Sequence, residues 1–262
     1  MTDKLKLWEA SWDENAERLA KTHPLKTLRH LPEIPGITQE TARFLRWKSL
    51  VYLLKHDNNG IFHRYFWKHP LKYTWNIFKS YAKKKLFVRE GDFFLYGFPT
   101  LEAFQQALSA PLIVVGFSYC HKPLECPSGR FNDQCIHDAS HPVCGQCFIG
   151  KTVHALPQEK MKIFFIPTVH YIGEQFFKLL ETHKVDSMVF LITACELTLK
   201  MFADWGNMLG IRGAGVRLDG RICNTMKAFE LSEVGIKPGL TVVRKETQAQ
   251  IMKLINFINQ SS

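Results

Sequence analysis

Five short apolar runs dominate the C-terminal part of the chain: LIVVGF (112–117), KIFFIPT (162–168), MVFLITA (188–194), AGVRL (214–218) and LTVVR (240–244). They lack a clear polar–apolar alternation, as expected of strands buried on both faces. Between them lie stretches of helical period at about 146–156, 172–184, 196–206, after Asn224, and 246–259. Thr100 is placed to cap a short helix ahead of the first strand. Strand and helix in alternation specify βα units. The expected fold class is therefore α/β, a Rossmann-like, mainly parallel sheet with flanking helices over 91–262. No G-x-G-x-x-G follows the first strand and no G-x-x-x-x-G-K-[ST] occurs, so an ordinary nucleotide site is not supported. The glycine-rich piece GNMLGIRGAG (206–215) fits neither spacing and reads as a turn entering a strand.

Residues 1–90 differ in chemistry and form a separate basic helical region. They hold 18 Lys or Arg against 9 Asp or Glu, whereas 91–262 hold 16 against 15. Apolar spacing predicts helices at about 39–56 and 71–85, joined by an aromatic connector. Phe62, Tyr65, Phe66, Trp67, Tyr73, Trp75, Phe78 and Tyr81 interleave there with Arg64, Lys68, Lys72, Lys79 and Lys83 to Lys85. Aromatic packing beneath a solvated basic face accounts for this pattern, and so does attachment of residues 60–85 to an anionic membrane surface. Nucleic acid is a weaker expectation, because no zinc-finger, KH or RRM pattern accompanies the charge. No uncharged apolar stretch nears the roughly 20 residues of a spanning helix, and the N-terminus lacks an export signal. The expected location is cytoplasmic, with peripheral membrane contact as an option.

The stretch CHKPLECPSGRFNDQCIHDASHPVCGQC (120–147) places five of the seven cysteines in one polar segment, at Cys120, Cys126, Cys135, Cys144 and Cys147. Seven cannot all pair within the chain, and clustered cysteines in a reducing compartment point to metal before disulfides. Cys144 and Cys147 form a CxxC, whose spacing turns two thiolates toward one ion or cluster face; thioredoxin-type redox pairs share it. A loop of this length without regular structure needs an organising interaction, which metal would supply. Cys120, Cys195 and Cys223 each follow a predicted strand, and a parallel sheet brings such positions to one edge. Ligation or catalysis explains these positions; small buried hydrophobes are the plainer alternative for Cys195 and Cys223.

Cys120, Cys126, Cys144 and Cys147 are the preferred ligand set, for an iron–sulfur centre of 4Fe–4S type or, alternatively, zinc. Cys135, Cys195 and Cys223 complete another centre or approach the first. His121, His137 and His141 could each replace one thiolate, and His170 could act as an acid–base group at another strand end. Asp219 and Arg221 flank the approach to Cys223 and read as a charged turn. The expected function is metal binding with a redox or electron-transfer role and a redox protein partner. The alternatives are a zinc-stabilised module that binds a membrane or macromolecule and, third, a thiol hydrolase, for which no local motif speaks.

The order strand, CHKPLEC, CGQC, TAC (193–195) and RIC (221–223) followed by Asn224 and Thr225 resembles a family of bacterial and archaeal proteins known as domain of unknown function 116. The resemblance spans about 110–245. It implies a shared cysteine set, mapping onto all seven cysteines here, that suggests a metal or iron–sulfur centre, and it supplies no reaction. Some members look membrane-associated through an N-terminal region.

Overall fold

The computed structural model describes residues 2–26, 48–82, 86–157, 159–237 and 239–261. The chain begins with α1 (Thr2–Thr22), then α2 (Lys48–Lys55), α3 (Ile61–Lys68) and α4 (Pro70–Ala82). An antiparallel hairpin follows, β1 (Val88–Glu90) and β2 (Phe93–Tyr96), then α5 (Leu101–Ala107), capped by Thr100 Oγ1, which accepts the Ala103 N–H. The βα series runs β3 (Leu112–Ser118), α6 (Pro142–Gln146), α7 (Phe148–Ala155), β4 (Met161–Ile166), α8 (Val169–Thr182), β5 (Met188–Ala194), α9 (Glu196–Leu209) and β6 (Gly213–Arg217). A two-strand ribbon of β7 (Asp219–Gly220) and β8 (Thr241–Val242) encloses α10 (Met226–Ser232), and α11 (Lys245–Ser261) closes the chain.

The main sheet has the order β1-β2-β6-β5-β3-β4. Strands β3 to β6 are parallel, and the hairpin adds an antiparallel edge through β2 and β6. Every residue of β5, and nearly all of β3, is buried, because helices cover both faces. Phe94, Val114, Phe190 and Ile192 face α8 and α9 on one side. Phe93, Ile113, Val115 and Val189 face α7 and α11 on the other. The chain leaves β3 outward to β4 and then returns to β5 on the opposite side of β3. The strand order therefore reverses between β3 and β5, where α/β sheets open a crevice at their C-terminal edge.

Several sequence expectations change. The part of the predicted helix 39–56 before residue 48, and Lys83 to Lys85, lie outside the described residues. The aromatic connector is itself a helix, α3. The run LTVVR contributes only the two-residue β8, and it joins β7 instead of the main sheet. Strands β1 and β2 went unrecognised, and their hairpin spans the expected boundary at 90/91. Asp92, in its turn, accepts from Arg244 Nε at 2.8 Å and from Thr247 Oγ1 at 2.6 Å, tying the hairpin to the start of α11. The glycine-rich piece behaves as expected: Gly210 ends α9 at φ 77°, and Gly213 and Gly215 enter β6. A Cβ on Gly215 would come within 2.3 Å of Leu199 Cδ2, so close packing of α9 on β6 explains that glycine.

Candidate functional site

Beyond β3 the chain makes a single 3-10 turn, Tyr119–His121, whose Cys120 N–H is accepted by Ser118 Oγ at 3.3 Å. The loop from Cys120 to Cys147 then folds around a buried lysine. Lys122 is 1% exposed, and its ammonium donates to Gln134 O at 2.6 Å, Asn132 Oδ1 at 2.7 Å, Asn132 O at 3.1 Å and Gly129 O at 3.2 Å. Burial lowers its pKa, and the neighbouring Cys126 and Cys135 pull the other way. Arg130 latches the loop to the far ribbon by donating to Lys237 O at 3.0 Å and Gly239 O at 3.1 Å.

The seven cysteines divide into two groups. Cys126, Cys135, Cys144 and Cys147 line a small space of about 10 Å³ with Lys122, His137 and Ile149. Burial raises the pKa of Cys135, pushes that of Cys144 up to about 11 and that of Cys147 up to about 12. Backbone hydrogen bonds oppose this in each case: from Ile149 and Gly150 to Cys147, from His137 to Cys135 and from Asp138 to Cys144. The CxxC is built tightly. Cys147 ends α6 and opens α7, and a Cβ on Gly150 would lie 2.6 Å from the Cys144 carbonyl oxygen. Helix α1 braces it from outside: Leu19 packs on Gly145, Gln146 Nε2 donates to His23 O at 2.9 Å, and Lys151 pairs with Asp13 at 2.7 Å and Glu9 at 2.9 Å.

The second group is Cys120, Cys195 and Cys223, gathered at the crevice between β3 and β5 with Lys237. Cys195, at the N-cap of α9, has its sulfur 3.1 Å from Thr198 Oγ1 and is coupled electrostatically to Cys223. Lys237 Nζ donates to Cys223 Sγ at 3.2 Å. The coupling to Cys195 and the Lys237 charge hold the Cys223 thiol well below its ordinary range, against the effect of burial. The same coupling, with burial, raises Cys195; burial also raises Cys120, whose charge couples to Lys237 and Cys223. Cys120 and Cys195 line an inner cavity of about 50 Å³. It shares Thr168, Trp205 and Glu233 with a larger groove of about 570 Å³ between α2, α8 and α10. Burial pushes the pKa of Glu233 up to about 8, and its carboxylate accepts the Val169 N–H at 2.8 Å.

The preferred set of Cys120, Cys126, Cys144 and Cys147 is thus not one group: Cys135 takes the fourth place and Cys120 joins the distant pair. Among the described residues no three Cys, His, Asp or Glu side chains meet in the arrangement that a bound ion requires. The loop quartet is four thiols around a space and not a preformed coordination shell. His121 is buried against Phe148, its Nδ1 without a partner among the described residues and its pKa lowered by burial to about 4. His137 bonds Cys135 O at 2.9 Å, and His141 Nδ1 caps α6 by accepting the Val143 N–H at 3.2 Å. His170 bonds Leu53 O at 3.1 Å on the groove wall, away from the thiols of the loop. Asp219 faces Arg217 and Arg244 in charge pairs near 3.9 Å. Lys122, Arg130, Glu233 and Lys237 were missed in the sequence, where all four resemble ordinary surface charges.

In the N-terminal helices the aromatic residues separate by side. Phe62, Tyr65 and Tyr73 are buried, with Tyr65 stacked on Phe177 of α8 at 4.8 Å between ring centres. Trp67, Leu71, Trp75 and Phe78 are 70%, 86%, 61% and 64% exposed, beside the exposed Arg64, Lys68, Lys72 and Lys79. No helix among the described residues is long and apolar enough to cross a membrane.

These features define an α/β protein of Rossmann-like topology with two thiol groups near the C-terminal edge of its sheet. No protein-family model, curated protein or solved structure matches the chain.

Proposed function

We propose that this is an electron-transfer protein whose iron–sulfur cluster, of 4Fe–4S type, is ligated by Cys126, Cys135, Cys144 and Cys147. The observation that carries this is the grouping of four thiols around one small space; backbone N–H groups at three of them act against the rise in pKa that burial causes. Burial alone would keep these thiols protonated, so the N–H donors gain their purpose when a cation displaces the protons. A cube binds each thiolate to its own iron, so the four sulfurs need not converge on one point. When bound, such a centre accepts and releases single electrons. The chain's own part is to aim N–H groups at sulfur and set Lys122 beside the negative charge, both of which raise a reduction potential. The same reading takes the chain as a relative of the domain of unknown function 116 proteins it resembles, with a redox protein as partner.

Zinc is the second reading, favoured by the small size of the space, which suits a single ion. Purification without oxygen, followed by elemental analysis and Mössbauer spectroscopy, separates the two. Iron with equivalent acid-labile sulfide, lost in Cys135→Ser and retained in Cys120→Ser, is the expected result. Zinc without sulfide replaces the cluster, and metal loss in Cys120→Ser alone overturns the ligand set.

For its location we propose peripheral attachment to an anionic membrane through α3 and α4, supported by the exposed stripe Trp67, Leu71, Trp75 and Phe78 with its basic border.

A further inference from the structure

The loop quartet and the exposed helix face belong to the proposed function, but the crevice where the strand order reverses does not. There the groove of about 570 Å³ between α2, α8 and α10 meets the inner cavity of about 50 Å³ at Thr168, Trp205 and Glu233. We propose that this crevice binds a small primary alkylammonium, its charge against the Glu233 carboxylate and its hydrocarbon chain in the inner cavity. The place is the one where parallel α/β sheets take small molecules, outside the C-terminal ends of strands at a switch point.

The inner cavity selects hydrocarbon. Ile166, Ile172, Ile192, Leu199, Met201 and Phe202 line it. The hydroxyl groups on the same wall are engaged within the protein. Ser49 Oγ donates to Asp204 at 3.2 Å, Ser232 Oγ donates to Phe229 O at 2.7 Å, and Thr193 Oγ1 accepts the Ser118 N–H at 3.2 Å. An apolar cavity of about 150 Å³ holds a benzene ring, so a third of that volume suits a chain of about two or three carbons.

The mouth selects positive charge. Glu233 ends α10 and lines both spaces, and its carboxylate accepts the Val169 N–H at 2.8 Å. Among the described residues it has no cationic partner. Lys55 and Lys227 line the groove but not the cavity, and neither pairs with it. Left without a counter-charge, the buried carboxyl holds its proton up to about pH 8. An ammonium at the mouth takes the place of that proton and donates N–H groups to the carboxylate, which a quaternary ion lacks. Tyr52, Phe62, Phe177 and Trp205 add aromatic rings to the groove wall, which attract an organic cation more than a neutral molecule. Glu230, one turn before Glu233, adds a second acid to the groove. His170 bonds Leu53 O, and burial lowers its pKa, so it does not repel a cation.

The test titrates the full chain, prepared without oxygen and labelled with ¹³C at its methionine methyls, with methyl-, ethyl- and propylammonium at about pH 9. That pH ionises Glu233 and leaves the amines charged, since an alkylammonium resembles lysine, with a pKa of about 10.4. The Met201 methyl, identified by its loss in Met201→Leu, reports on the inner cavity. It is expected to shift saturably, with affinity rising about four-fold per methylene from methyl to propyl, the scale for burying a CH₂ group. Propan-1-ol and butyrate, which carry a similar chain without positive charge, are expected to bind at least ten-fold more weakly. Glu233→Gln is expected to weaken propylammonium binding at least ten-fold, as loss of a charged hydrogen bond requires. Should that variant not fold by circular dichroism, the comparison of propylammonium with propan-1-ol and butyrate on the wild-type chain decides alone. The proposal is overturned if the Met201 methyl ignores propylammonium, if propan-1-ol or butyrate binds as well, or if affinity does not depend on chain length. Undiminished binding in folded Glu233→Gln overturns it equally.

Discussion

His121 carries an imidazole into a site where the described residues offer its Nδ1 no partner, and burial lowers its pKa to about 4. An unfolded histidine titrates near 6.5, so between these values the unfolded chain binds the extra proton and the folded one refuses it. Stability from this residue is therefore fully present above pH 6.5 and is lost as pH falls toward 4, by about 3 kcal/mol over the window. His121→Phe keeps a ring against Phe148 and removes the proton. The urea midpoints of wild type and variant, compared at pH 7 and pH 4.5, are expected to diverge, with the variant losing less on acidification. Equal losses in the two proteins would show that His121 is not held neutral by the fold. The residue stands beside Cys120 yet faces Phe148, which explains why a histidine in a cysteine-rich segment, a natural ligand candidate in sequence, has a packing role here.

The element that depends most on one side chain is the loop 120–147. Its backbone oxygens at Gly129, Asn132 and Gln134 turn inward to the Lys122 ammonium, which also meets the Asn132 side chain. Lys122→Met fills the stem's space but leaves these oxygens unsatisfied, at an expected cost of about 3 kcal/mol, the scale for stripping one partner from a buried charged network. Thermal unfolding should report that loss, and limited proteolysis should cut between 123 and 147 in the variant first. Unchanged melting and cleavage would mean that the thiols or their metal hold the loop unaided. From sequence, metal was the organiser one could name, because lysine is almost always a surface residue and its burial leaves no periodic trace. The βα elements were legible for the opposite reason: β3 and β5 are buried along nearly their whole length, so runs such as LIVVGF and MVFLITA carry an unbroken apolar signal. Strands β1 and β2 were hidden because they are short and flank a charged turn. The gathering of Cys120 with Cys195 and Cys223 followed from strand ends alone, but the choice of Cys135 over Cys120 for the loop quartet depended on how an irregular loop folds back, which spacing does not encode.

At the scale of the whole molecule, α1 and the helices α2 to α4 are not an appendage. Helix α1 braces the CxxC, while α2 and α4 pack on α9 and α3 on α8. That packing uses up Phe62, Tyr65 and Tyr73 and leaves Trp67 of α3 exposed, together with Leu71, Trp75 and Phe78, which lie opposite the buried Tyr73 and Ser80 on α4. A monomer gains nothing from four large exposed apolar side chains along one stripe, whereas a bilayer interface solvates aromatic rings and draws in the basic residues around them. Each Lys or Arg near an anionic surface contributes about 1 kcal/mol, roughly a five-fold factor in partitioning, and this share weakens as salt rises. Sedimentation with vesicles is therefore expected to be strong on phosphatidylserine-containing bilayers, weaker on neutral ones, and reduced by salt. Trp67→Ser/Trp75→Ser should lower binding at least ten-fold at every salt concentration, while Lys72→Glu/Lys79→Glu should abolish the preference for anionic lipid and leave a salt-insensitive remainder. Binding that ignores lipid charge and both double variants would remove the membrane from the account. Self-association of the wild-type chain in sedimentation velocity, abolished by the tryptophan variant, would assign the stripe to a second copy of the protein instead.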